Sequence, residues 1–467
     1  MPDHPSAKAP ALSIRTFIVL FTLIAIVGTA LRVSDSGSWR NVGFDEAIYR
    51  RYVNMMDGGK HTVGVFQRER SMAAYEITVE GTGAATMPDL CGFFLDSQAS
   101  EKTECELPPT RFLYIYLSWI WKRAQFGDAP PLALSEMRAP PMSEDRSLDA
   151  DHRDPALASL HRVACLFTIL LMIGGGLAAW RMAGYGAGLG VLALMAFSPV
   201  QIHFSQHALI DGFFAFWALM CLWTTWECLR NPDSKPWLSA HGIFLALMVT
   251  AKLENAFFVC CGLGAIIVAN RWMKFGTATP RFVIVSVCGP LIGIALLVAL
   301  AGGPETFITI YKILVAKAQN LQYAKLTGDG PWYRYLLDMI TVSPIVVILG
   351  LGALFKLTPS RKELAFVAVF VAASYLVMCN IKYGMNLRYT SVWEMPFRLG
   401  AVLLIWDLCA RMKHQQWLAA VVVISGICAY DLRQYGILTS DPKRPLYELI
   451  PADLLRLVKI LKSKEDL

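Results

Sequence analysis

Adjacent carboxylates occupy Asp45 and Glu46 in the stretch WRNVGFDEAIYRR, residues 39–51, shortly after the first apolar run of the chain. A carboxylate held there can take a proton from an acceptor hydroxyl, or bind a divalent cation alongside phosphate. It can equally do no more than cap a helix, which is the structural role open to Asp45. A second cluster is PVQIHFSQHALID, residues 199–211, where Asp211 opens an apolar segment and His203 and His207 precede it one helical turn apart. Charge at membrane depth is costly, so Asp211 is a candidate site residue. The two histidines suit either metal ligation or ordinary hydrogen bonding. A third cluster, NIKYGMNLRYTSVWEMPFR at 380–398, carries Lys382, Arg388 and Tyr389. Such cations suit phosphate, and an arginine can engage two of its oxygens at once. A fourth, at 304–334, holds Glu305, Lys312, Lys317, Lys325 and Arg334. Acids and bases thus gather around one predicted membrane face, as an interfacial site for a phosphate-bearing lipid requires.

The elements that position these groups are membrane spans. Hydrophobic residues make up 55% of the 467, charged residues only 17%, and mean hydropathy is +0.44. Soluble chains carry about a quarter charged residues, so a soluble enzyme is excluded. The apolar content comes in blocks, among them TFIVLFTLIAIVGTAL at 16–31, FVIVSVCGPLIGIALLVAL at 282–300 and AFVAVFVAASYLVMC at 365–379. Roughly 20 apolar residues cross a bilayer as a helix. This rule predicts about eleven spans, near 14–33, 160–179, 184–200, 212–228, 237–250, 254–270, 282–301, 333–355, 362–379, 391–409 and 417–432. The pair at 237–270 is short enough to be one broken helix instead. The first span lacks a small-residue cleavage site and is expected to remain as an anchor.

Basic residues set the expected orientation, because Lys and Arg concentrate in short cytoplasmic loops. Arg181, Arg230, Lys235, Arg271, Lys274, Arg281, Lys356, Arg361, Lys362, Arg411 and Lys413 all fall on one side if the N-terminus lies there too. Residues 34–159, 201–211, 302–332 and 380–390 then face outward, where all four clusters sit. Within the long first loop, RFLYIYLSWIWKRA at 111–124 is apolar and aromatic but short, and is expected to lie in the membrane interface. A short span is the alternative; the acidic residues Asp128, Glu136, Glu144, Asp145, Asp149, Asp151 and Asp154 that follow favour the outside. Cys91 and Cys105 stand in the same loop and can either pair or remain free. No cysteine or histidine spacing suggests structural zinc. Residues 443–467 read as an amphipathic helix on lipid headgroups, and the many basic residues reflect orientation and anionic lipid rather than nucleic acid.

Five pieces in order resemble the GT-C integral membrane glycosyltransferases, specifically the protein O-mannosyltransferase and aminoarabinose transferase group. They are GFDEAIY after the first span, ELPPTRFLYIYLSWIW, HRVACLFTIL, SPVQIHFSQHALIDGFFAF and AKLENAFF. The resemblance covers roughly residues 14–430. It implies an all-α polytopic membrane protein with a GT-C transmembrane domain over 1–432, interfacial helices in the 34–159 loop, and a short tail from 433 to 467. It further implies an inner or plasma membrane location and transfer of a glycosyl unit from a polyprenyl-phosphate-linked sugar to an extracytoplasmic lipid, glycan or protein acceptor. Asp45, Glu46 and Asp211 are then the catalytic candidates. Asp45, Asp211 and His207 are the candidate ligands of a divalent metal ion; His207 stands where an arginine is common, which leaves open whether the site binds an ion. Some relatives place a lysine before the Pro-Pro to meet the lipid phosphate, whereas this chain has Leu107. Arg111, Lys382, Arg388 and Tyr389 are the candidates to bind the donor in its place. A transporter or flippase for a lipid-linked saccharide is the rival reading.

Overall fold

A computed structural model describes residues 13–34, 44–56, 65–67, 76–79, 82–86, 104–106, 111–129, 154–301, 303–305, 307–308, 311, 331–380 and 387–439. Lys382, Pro108, Pro109, Cys91, Lys312, Lys317, Lys325 and the tail beyond 439 lie outside them. The helices in chain order are α1 (Ile14–Val33), α2 (Phe44–Met56), α3 (Phe112–Phe126), α4 (Pro155–Ala183), α5 (Tyr185–Ala196), α6 (Pro199–Ser205), α7 (Ile210–Arg230), α8 (Lys235–Ala251), α9 (Leu253–Met273), α10 (Pro280–Leu300), α11 (Arg334–Val342), α12 (Pro344–Gly352), α13 (Lys362–Cys379), α14 (Glu394–Cys409) and α15 (Gln416–Leu438). A 3-10 segment, Leu387–Trp393, leads into α14. The helical expectation holds for the membrane domain. The first loop differs, with two short antiparallel strand pairs: β1 (Val65–Gln67) with β4 (Glu104–Glu106), and β2 (Glu76–Val79) with β3 (Thr82–Thr86). The boundary expected at 433 falls inside α15, which continues to Leu438.

Among the described residues, seven helices are long and apolar enough to cross a bilayer: α1, α4, α7, α9, α10, α13 and α15. The helices α5 and α6 meet at 59° and together are apolar and long enough for one further broken span or a re-entrant loop. Three of the expected spans are shorter or interrupted. α8 has 17 residues and α14 has 16, and the 333–355 block is broken at Ser343 between α11 and α12. The physical reason for that break is Pro344, whose ring is costly in a helix interior but fits the first turn of a new one. Ser198 and Pro199 act likewise at the α5–α6 bend. The Ser198 side chain accepts from the Gln201 N–H, and Pro199 opens α6.

Helix direction follows from a few contacts. Lys252, between α8 and α9, bonds to Asp211 at the start of α7, so α8 ends where α7 begins. The Thr277 N–H, just past α9, donates to the Leu229 carbonyl at the far end of α7 at 2.8 Å, so α9 runs back again. The 237–270 block is therefore two antiparallel segments and not one broken helix. Trp226 and Phe275 both pack on Phe366 near the start of α13, and Trp406 near the end of α14 packs against Gly186. Arg181, Arg230, Arg271, Arg361 and their neighbours thus occupy one end of the bundle. The starts of α7, α9 and α14 and the ends of α1, α5, α8 and α13 meet at the other.

At that second end α2 and α3 lie against the bundle. With 15 residues, α3 is about 22 Å long at 1.5 Å per residue, too short to cross a hydrocarbon core of about 30 Å. Its Tyr114 hydroxyl donates to the Leu160 carbonyl of α4 at 3.1 Å. Asp154 locks the arrangement. Its carboxylate accepts from the Ala156 and Leu157 N–H groups at 2.9 Å, capping α4 ahead of Pro155, and from Arg50 Nε of α2 at 2.5 Å. One carboxylate thereby satisfies a helix terminus and pins α2 beside it. Between α5 and α1 the buried Arg32 donates to the Met195 and Ala196 carbonyls, where the negative end of the α5 dipole favours a cation.

Candidate active site

Asp45 and Glu46 fall in the first turn of α2 and diverge from each other. Asp45 Oδ2 accepts from Arg388 of the 3-10 segment at 2.5 Å, and the same guanidinium donates through Nε to Asp211 Oδ2 at 2.6 Å. Asp211 Oδ1 accepts in turn from Lys252 Nζ at 3.0 Å. Two acids and two bases from four separate elements therefore form one charge-balanced chain. Such a chain is tolerable in a dry interior because each carboxylate faces a cation and each cation has acceptors. Asp45 is not merely a helix cap; its carboxylate is committed to Arg388.

The two aspartates differ in access. The Asp45 side chain is 24% exposed and that of Asp211 1%. Asp45 is partly open to the surface, whereas Asp211 is enclosed. Its place is set by Gly212, since a Cβ there would come within 2.3 Å of Thr168 Cγ2 on α4. Only glycine lets the start of α7 approach α4 this closely.

Arg111, Tyr49 and Tyr389 line the same region. The Arg111 guanidinium lies over the Tyr49 ring at 5.5 Å, and the Lys252 ammonium over the Tyr389 ring at 4.5 Å. Burial pushes both phenols well above the ordinary tyrosine range, so both remain protonated and neutral. Arg111 also faces Glu254 at 3.8 Å, beyond hydrogen-bond reach. Among the described residues, the buried Arg111 Nε and the Tyr49 hydroxyl have no hydrogen-bond partner.

Glu46 does something else. Its Oε1 accepts from the Ala208 N–H at 2.6 Å and faces His207 Nδ1 at 3.4 Å. It ties α2 to the turn between α6 and α7. The three expected metal ligands are consequently not brought together: Asp45 and Asp211 meet on a guanidinium, while His207 turns to Glu46. No group of three or more His, Cys, Asp or Glu side chains is placed to hold a metal ion among the described residues. A divalent cation does not fit between Asp45 and Asp211 as they stand, because both already face Arg388 and a further two positive charges would join Lys252 in a buried setting.

Lys252 and Glu254 are the site residues that sequence reasoning left without a role. The signal was present in AKLENAFF, where a lysine interrupts an apolar run and is costly unless paired. The Cys91–Cys105 question lies outside the described side chains. The nine cysteines whose side chains are described are all free thiols.

No family model matches the sequence, and no curated protein matches it. Solved structures do share the fold. The Archaeoglobus fulgidus oligosaccharyltransferase in complex with Zn and sulfate aligns over 89% of this chain and 53% of its own length, at 11% identity and a TM-score of 0.55. ArnT from Cupriavidus metallidurans bound to undecaprenyl phosphate aligns over 91% of this chain and 66% of its own, at 13% identity and a TM-score of 0.55. The chain thus spans about half the length of the first and just under two thirds of the second. Taken with the apolar helices and their arrangement, these likenesses show a multi-pass membrane protein with the GT-C fold.

Proposed function

We propose that the protein transfers a glycosyl unit from a polyprenyl-phosphate-linked sugar to a hydroxyl of a lipid, glycan or protein acceptor at the outer face of the cell's inner or plasma membrane. The observation that carries this reading is the meeting of Asp45 and Asp211 on Arg388 at one end of the bundle, opposite the basic turns, with Arg111 and Tyr49 beside them. The structural neighbour bound to undecaprenyl phosphate supports the class of donor.

In the proposed reaction the acceptor oxygen attacks the anomeric carbon and the bond from that carbon to the phosphate oxygen breaks. The acceptor proton passes to Asp45, the accessible carboxylate, and the prenyl phosphate departs as an anion. A single direct displacement inverts the anomeric centre. Arg111 and the neutral Tyr49 hydroxyl offer unpaired donors to the phosphate, and such donors are most effective where water is scarce. Arg388, Lys252 and Asp211 hold Asp45 in place. An ion network at one end of the helices, rather than at their midpoint, favours transfer over transport.

The test is transfer from labelled polyprenyl-phosphate sugars into total membrane acceptors by the intact protein and by Asp45→Asn. Product from the intact protein alone supports the reading. Folded protein that transfers from none of the donors, in membranes that contain acceptors, removes it.

A further inference from the structure

The position between Asp45 and Asp211 is where a two-carboxylate site would hold a divalent cation. Carboxylates brought together from distant elements, one largely buried and one opening to the surface, repel each other unless a positive group sits between them. Here that group is a side chain. Arg388 contributes Nε to Asp211 at 2.6 Å and an Nη to Asp45 at 2.5 Å, the short distances of charge-assisted bonds. A guanidinium is planar, permanently charged and forked, so it fixes both the separation and the mutual orientation of two carboxylates, as a coordinated cation would. Lys252 on Asp211 Oδ1 completes the neutralisation and leaves the buried carboxylate no unneutralised charge with which to attract a second cation.

We infer that Arg388 is a resident substitute for a divalent cation between Asp45 and Asp211, and that the transfer proposed above proceeds without divalent metal. The inference rests on that reading of the site, but its consequence for metal binding does not. Arg388 is a positioning residue: it holds the carboxylate that receives the proton and is not itself consumed or altered. Its removal has a consequence that loss of a merely structural residue would not. Arg388→Ala leaves two carboxylates facing a space sized for a guanidinium, and so creates a cation site where none is present.

The purified, full-length protein is titrated with Mn2+ and followed by electron paramagnetic resonance, and transfer from a labelled polyprenyl-phosphate sugar is measured with and without EDTA. The expected results are no stoichiometric Mn2+ binding by the unaltered protein, and a transfer rate unchanged by chelation. Arg388→Ala is expected to bind one Mn2+ that Asp45→Asn in the same background abolishes. Metal-assisted displacement would lose roughly 100-fold or more of its rate on chelation, because Lewis-acid stabilisation is a large part of such barriers. A loss of that size, restored by Mg2+ or Mn2+, overturns the inference while leaving the proposed function standing. So does stoichiometric Mn2+ binding by the unaltered protein that Asp45→Asn or Asp211→Asn removes. Absence of transfer under every metal condition counts against the proposed function alone, and the titration of the unaltered protein still decides the inference, whether or not Arg388→Ala folds.

Discussion

Glu46 accepts a hydrogen bond from the Ala208 N–H at 2.6 Å across 162 positions of sequence. The helix carrying Asp45 is thereby joined to the turn that delivers Asp211. Glu46→Ala strands a buried backbone donor and is expected to cost about 1–3 kcal/mol, read as a lowered unfolding temperature in detergent. Glu46→Gln keeps an acceptor oxygen and should lose clearly less. Equal losses for the two would show that the charge facing His207, and not the bond to Ala208, is what matters.

Lys252 is the second cation on Asp211, and both side chains are nearly inaccessible to solvent. Lys252→Met breaks a buried pair and should destabilise the fold by roughly 3–5 kcal/mol. Adding Asp211→Asn removes the charge left behind, so the double variant should lose well under the sum of the two single losses. Simple additivity of the two unfolding shifts would mean that the contact contributes nothing.

Gly212 sets the approach of α7 to α4. Gly212→Ala forces a methyl into Thr168, and overpacking of this kind costs about 1–3 kcal/mol. Because Asp211 is the adjacent residue, activity should fall further than stability alone explains. Pairing Gly212→Ala with Thr168→Ser, which removes the offending methyl, is expected to restore transfer; failure to do so would trace the defect elsewhere.

Arg111 offers an unpaired Nε beside the Tyr49 hydroxyl. Under the proposed function, Arg111→Lys exchanges a fork for a point charge and should raise the donor KM about tenfold, with kcat less affected. Donor-concentration series on Arg111→Lys and Arg111→Ala measure this. An unchanged KM in both variants would place the phosphate on other residues.

Much of this protein was determined by local composition. Blocks such as 282–300 can do little but form helices across a bilayer, since unpaired backbone groups are not tolerated in lipid. Pro155, Pro199, Pro280 and Pro344 each mark the opening of a helix by removing an N–H that has no partner there anyway. The clusters around Asp45, Asp211 and Arg388 were legible because charge beside apolar sequence is costly and rarely idle. Two things were not legible. Adjacent Asp45 and Glu46 looked equivalent, yet successive positions on a helix point about 100° apart, so one meets Arg388 and the other Ala208. The pairing of Asp211 with Arg388 and Lys252, and the turning of His207 away from both aspartates, depended on which helix ends converge. Hydropathy and spacing describe each segment alone. Only the packing of α2, α7, α8 and the Leu387–Trp393 segment decided that a guanidinium, and not a trio of metal ligands, occupies the centre of the site.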